Sequence, residues 1–538
     1  LSGIELALLP GLRRWSTAIT DDIFVERHLH FSNALDQAVL EQYANVVFPE
    51  LMKIRLLPRG IWISRRRLTL SIGCFLALVP LLKADALDDS INALLTKRQV
   101  PGLSLAIIQD GKIVRAQGYG VIEAGHPAPV TTDTLFQAGS VSKPVGALGA
   151  LALVEAGKLS LDADINTVLK SWQVPENQYT KTEKVTLRRL LSHSSGLTVH
   201  GFRGYAVNSP LPTLVQVLNG EQPANSAPIR VDFEPGSKWR YAGGGYTVMQ
   251  QAMIDVTGQT FAEFMHQTVL LPLGMKASSY DQPLSDARAA LTATGHYRPN
   301  EIVLGRWHVY PEMAAAGLWT TPSDLARFAI AIQDTLAGRA HPVISQTLIR
   351  EMLKPQKEQD GLGVFLAGHG KAERFEHNGR NEGFDTLMTA YLETGQGAVV
   401  MININDNSNT IQRITELIAD AYHWPEYPRS KPAKAIADKE PGVTILVRKI
   451  FEEARAGRFD RELFTPELSK AIEQALAGGA TQQLQSSGAI KAIELTERKD
   501  NHGNRIYRYR LIQENATTTV NCVFNPEGKI AGLWFKPE

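Results

Sequence analysis

The chain has 538 residues, 44% hydrophobic and 21% charged, with a formal charge of +1. That is material for roughly two to four globular domains, and it gives no electrostatic case for nucleic acid as a partner. The two cysteines, Cys74 and Cys522, build neither a disulfide framework nor a thiolate metal site. No H-E-x-x-H, P-loop or dinucleotide fingerprint occurs, so neither metal nor cofactor is expected.

Residues 1–51 carry no motif, and the sequence opens on Leu1. Met52 is a candidate start, so this stretch reads as an extension upstream of it. Ser64-Arg65-Arg66-Arg67 leads into an apolar run, Leu68 to Leu82, and then Ala84-Asp85-Ala86. A basic stretch, a short apolar core and a small-x-small site describe an export signal over 52–86. The expected location is therefore periplasmic or secreted. An uncleaved signal would leave a membrane anchor, but the run is short for a span.

Leu87 to Thr96 has helical patterning. Leu103 to Gln109 and Lys112 to Gln117 read as strands joined at Asp110-Gly111, a strong hairpin signal. Next comes Gln137-Ala138-Gly139-Ser140-Val141-Ser142-Lys143, followed by a long apolar run. Residues i and i+3 share a helix face, so Ser140 and Lys143 can touch. A serine oxygen is a poor nucleophile until a base takes its proton, and a lysine held out of water is such a base. After a long helical middle, strands return near Gly361 to Leu366, Gly383 to Leu392 and Gly397 to Ile404. The expected fold is α+β: an antiparallel sheet drawn from distant parts of the chain, with helices packed over it.

Residues 426–441, rich in proline and charge, read as a linker. Beyond it, Val443 to Ala456 and Pro466 to Ala477 read as amphipathic helices. Ile490 to Leu495, Ile506 to Ile512, Thr518 to Phe524 and Ile530 to Phe535 read as strands of a meander. Residues 442–538 are thus expected to form a small α+β domain, a candidate for self-association. Its order of elements resembles the cone-shaped nuclear-transport-factor-like fold. Tyr507, Tyr509 and Trp534 are expected in its core or cone lining.

Three further stretches join the Ser140 segment. They are Leu190-Leu191-Ser192-His193-Ser194-Ser195-Gly196-Leu197, Glu234-Pro235-Gly236 through Tyr241-Ala242-Gly243, and His377-Asn378-Gly379-Arg380. In order and spacing they resemble the penicillin-recognising serine hydrolases near class C β-lactamases, D-alanyl-D-alanine carboxypeptidases and family VIII esterases. The resemblance covers residues 87–425. It implies a β-lactamase/transpeptidase-like sheet flanked by helices, with an all-helical subdomain.

It also implies site roles. Ser140 is the nucleophile, with Lys143 and Tyr241 as proton-transfer groups. Gly243, His377, Asn378, Gly379 and Arg380 line the substrate, the last through its backbone at the oxyanion hole. His193 belongs to a structural segment. Placing Lys143 beside Tyr241 is expected to tune both downward, since burial lowers a lysine and a nearby cation lowers a tyrosine.

Two positions depart from the family pattern. Gly243 stands where an asparagine contacts the substrate acylamide, and His377 stands where β-lactamases carry lysine. The expected activity is acyl transfer from a small ester, amide, peptide or β-lactam to Ser140. The alternative is a protein that binds or senses penicillins or cell-wall peptides without hydrolysis.

Overall fold

The computed structural model describes residues 86–537, apart from 340–342, 407–408, 430–433, 478–479 and 502. The expected extension 1–51, and the export signal but for its last residue, lie outside these. No helix among the described residues is long and apolar enough to cross a membrane.

Helix α1 (residues 86–98) buries Leu87, Ile91 and Leu95 at a spacing of four. Strands β1 (Gly102–Gln109) and β2 (Lys112–Gly120) form the expected hairpin. Asp110 and Gly111 both have positive φ, at 53° and 68°, as a two-residue turn of matching twist requires. Four strands from the far end of the family segment complete the sheet: β3 (Phe365–Ala367), β4 (Arg374–Asn381), β5 (Phe384–Tyr391) and β6 (Gly397–Ile402). The order is β2-β1-β6-β5-β4-β3, antiparallel throughout.

β3 is shorter than expected. Gly361 to Val364 instead make a turn, with Gly361 N–H donating to Val364 O at 2.9 Å. Gly363 sits there at φ 93°, and a Cβ on it would lie 2.6 Å from that of Ala147.

The sheet is covered on both sides, so β1 reads as a continuous apolar run. Ala106 and Ile108 face one core, with helices α2 (Ser142–Glu155), α3 (Gly243–Thr257) and α4 (Pro322–Leu336). Leu103, Leu105 and Ile107 face the other, with α1 and helix α5 (Thr410–Ala421). Pro322 sits in the first turn of α4, where its missing N–H is harmless, and Thr321 caps that helix by accepting from Asp324 N–H at 3.2 Å.

α2 is buried on nearly every side from Ser142 to Leu151. A helix apolar all round belongs inside a core, which explains the run after Lys143. Between β2 and β3 the described chain is mainly helix and loop, with a few two- or three-residue strand pairs.

The C-terminal part has helices α6 (Pro441–Arg455), α7 (Pro466–Ala477) and α8 (Ala480–Ser486). A four-stranded antiparallel meander follows: β7 (Ile490–Asn501), β8 (Asn504–Gln513), β9 (Thr517–Phe524) and β10 (Ile530–Pro537). It has its own core around Phe451, Tyr507, Tyr509 and Val520. Two details differ from expectation: α8 carried no strong pattern, and Trp534 is 57% exposed. Trp534 lies on the edge strand β10, with its ring over Gly532 on the outward face.

Candidate active site

Ser140 sits in a single 3-10 turn, Gly139–Val141, directly before α2. Gly139 has φ 53°, a conformation costly for a residue with a Cβ. The turn lies against β4 with backbone meeting backbone. A Cβ on Gly379 would stand 2.0 Å from Ala138 O and 2.8 Å from Ser140 N, and one on Gly139 would stand 2.5 Å from Arg380 N. Two glycines therefore permit the approach of serine turn and strand.

Lys143, one turn along, is 2% exposed. Its Nζ donates to Ser140 Oγ at 2.9 Å and to Ala315 O at 2.8 Å. Burial lowers its pKa to about 7, because the charged form loses its hydration.

Tyr241 enters from the segment before α3, its ring centre 5.0 Å from Lys143 Nζ. Its position is held by His193, whose ring lies 4.1 Å from that of Tyr241. Ala242 N–H donates to His193 Nδ1 at 3.1 Å, and Arg240 N–H donates to His193 O at 2.9 Å. Burial first, then Lys143, drive the His193 pKa well below the usual histidine value, so the ring is neutral. The segment that resembled a structural motif thus supports the tyrosine.

The structure divides the expected tuning unequally. Lys143 falls to about 7, but Tyr241 rises, because burial outweighs its hydrogen bond with Ser140. The phenol keeps its proton at neutral pH, which leaves the lysine as the available base.

Ser140, Lys143, Tyr241, Asn378, Gly379 and Arg380 come together around one cavity of about 600 Å³. His377 and Gly243 are not on its wall. His377 is buried under the strand, stacked on Phe365 at 4.8 Å, with Nδ1 2.6 Å from Asn378 O. Burial, aided by Lys143, lowers its pKa to about 3. It is neutral and does not stand in for the family's lysine cation. Gly243 begins α3 and donates its N–H to His200 O at 3.0 Å. A Cβ on it would meet that oxygen at 3.0 Å and Phe202 Cε2 at 3.2 Å. The chain at 200–202 therefore crowds any side chain at this position.

Sequence reasoning missed several wall residues: His200, Phe202, Trp239, Phe365 and Asp385. Phe202 carried no signal, lying in an aperiodic loop. Asp385 did carry one. It is the cross-strand neighbour of Arg380 in the β4–β5 hairpin, where opposite charges pair.

A serine at the head of a buried helix, a desolvated lysine on its hydroxyl, and this sheet order define a penicillin-recognising serine hydrolase. The chain belongs to the Beta-lactamase family, whose model matches residues 87–423. Penicillin-binding protein 4* of Bacillus subtilis (strain 168) is 26% identical over 383 residues, covering 66% of this chain and 80% of that protein. Esterase EstB of Burkholderia gladioli is 33% identical over 204 residues, 36% of this chain and 50% of the esterase. Among solved structures, the octameric penicillin-binding protein homologue from Pyrococcus abyssi has a TM-score of 0.52 at 20% identity, covering 82% of this chain and 90% of that one.

Proposed function

We propose that this protein hydrolyses small carboxylic esters or amides through an acyl-enzyme on Ser140. The observation that carries the reading is the 2.9 Å contact from Lys143 Nζ to Ser140 Oγ, with the lysine pKa brought to about 7. Neutral Lys143 takes the Ser140 proton as Oγ bonds to the substrate carbonyl carbon. The developing oxyanion is received by the backbone N–H groups of Ser140 and Arg380. As the bond to the leaving group breaks, the Tyr241 phenol gives that group a proton and regains one from Lys143. Water then attacks the acyl carbon, the acid leaves, and a proton returns to Ser140 Oγ.

The fold belongs to a family with an esterase among this chain's relatives, which supports ester chemistry. Export, a catalytic domain at 87–425, a linker at 426–441 and self-association through 442–538 belong to the same proposal.

The test is a panel on the protein and its Ser140→Ala variant: a short-chain nitrophenyl ester, a chromogenic cephalosporin, a D-amino-acid peptide and a fluorescent penicillin. Ser140-dependent turnover of the ester or peptide is expected. Penicillin labelling without turnover of any member would favour the sensor reading. No Ser140-dependent reaction of any kind would end the hydrolase reading.

A further inference from the structure

We infer that this site takes uncharged esters or amides with an apolar acyl group, and disfavours substrates whose leaving group carries a free carboxylate. The inference rests on the acyl-enzyme reading above and adds the substrate class. β-Lactams and peptides cleaved at a C-terminal residue both carry such a carboxylate. A site that welcomes it needs an uncompensated cation or several donors aimed at it.

Among the described residues, three cationic side-chain types line the cavity: Lys143, His200 and Arg380. Lys143 is committed to Ser140 Oγ and Ala315 O, and it must be uncharged to act as base.

Arg380 is neutralised by its own hairpin. Its Nε donates to Asp385 Oδ1 at 2.7 Å and its Nη2 to Asp385 Oδ2 at 2.5 Å, a two-point pair. Nη2 also donates to Asp406 O at 2.7 Å. Asp385 is only 6% exposed, and its Oδ2 accepts from Asp406 N–H at 2.9 Å as well. Drawing Arg380 toward a substrate carboxylate would leave this buried aspartate without its cation, an unfavourable exchange. His200 is exposed at the rim, where water and salt screen its attraction for a bound anion.

The acyl side is apolar. Gly243 offers no side-chain amide, and a Cβ on it would already stand 3.0 Å from His200 O and 3.2 Å from the Phe202 ring. Phe202, Trp239 and Phe365 give the cavity aromatic walls. Trp239 does not offer its indole N–H to a ligand, because it donates to Asp360 Oδ2 at 2.5 Å.

The test uses a matched pair at pH 8: S-phenylacetyl-mercaptoacetate and its methyl ester. The thiol released from each is read with a disulfide dye, against Ser140→Ala as blank. The methyl ester is expected to exceed the acid in kcat/KM by about tenfold or more, the worth of one charge-assisted hydrogen bond. Asp385→Asn, which loosens the hold on Arg380, is expected to narrow that ratio at least threefold. An acid hydrolysed as fast as its ester overturns this inference and leaves the hydrolase reading standing. Failure of both to react in a Ser140-dependent way overturns the two together. The wild-type ratio decides the matter whether or not Asp385→Asn folds; if it does, an unchanged ratio removes the Asp385 pair as the cause.

Discussion

Replacing Lys143 with methionine should inactivate the protein and, below about pH 8, make it more stable. The lysine is 2% exposed, and burial takes its pKa from 10.5 to about 7. Its pKa in the folded state is therefore depressed. Between about pH 7 and 10.5 the unfolded chain binds more protons than the folded one, so the wild type gains stability as pH rises through that window. Below it, holding the buried charge costs about 5 kcal/mol, at roughly 1.4 kcal/mol per pH unit.

Methionine fills similar space without charge. It forfeits the bonds to Ser140 Oγ and Ala315 O, about 1 kcal/mol each, and orphaning Ala315 O adds about 1 more. The net expectation is a gain of about 2 kcal/mol at pH 6, vanishing between about pH 8 and 9, and a loss above that. The assay is urea unfolding of both proteins at pH 6 and pH 9.5. Other buried acids, such as Glu312 and Asp360 with pKa values raised to about 7, are common to both chains and cancel in the difference. A stability difference that does not change with pH would refute the reasoning.

Turnover of a neutral ester should rise about tenfold between pH 6 and pH 8 and then level, because Lys143 must shed its proton near pH 7 to act as base; a flat kcat/KM profile would count against that role. Gly379→Ala should lose at least about a hundredfold in kcat, since its Cβ would fall 2.0 Å from Ala138 O. Its circular dichroism should stay close to wild type, and a fully active variant would show that the turn need not touch the strand. His193→Ala should cost about 2–3 kcal/mol of stability by leaving Ala242 N–H unpaired and opening a cavity. Through Tyr241 it should lower kcat more than it raises KM, as initial-rate kinetics would show.

The sequence displayed those parts of the site that depend on local spacing. Ser140 and Lys143 are one helical turn apart. The Asp110-Gly111 turn closes the β1–β2 hairpin. What it did not display depends on burial by distant residues. Whether lysine or tyrosine is the base turns on how deeply each is covered, and Ala315, from 172 positions on, helps to cover Lys143. His377 looked like a ligand contact by its motif, yet it is 2% exposed and covered by Phe365, on which it stacks. The pairing of Arg380 with Asp385 was within reach, because a hairpin reversing at Glu382-Gly383 sets the two opposite each other. The crowding of Gly243 by His200 O and Phe202 was not, since no period governs that loop.

The sheet order has a consequence for the newly made chain. β1 and β2 leave the ribosome early, but β1 pairs with β6, whose residues follow about 300 positions later. Ser140, likewise made early, finds its backbone neighbours only when Gly379 and Arg380 arrive. Throughout most of its synthesis the chain carries its serine and lysine without the frame that aims them. Closing the sheet across so long a loop is slow in folding terms. The protein should stay chemically silent until nearly all of its family segment has been made, so a prematurely ended chain would be inert rather than a stray acylating agent.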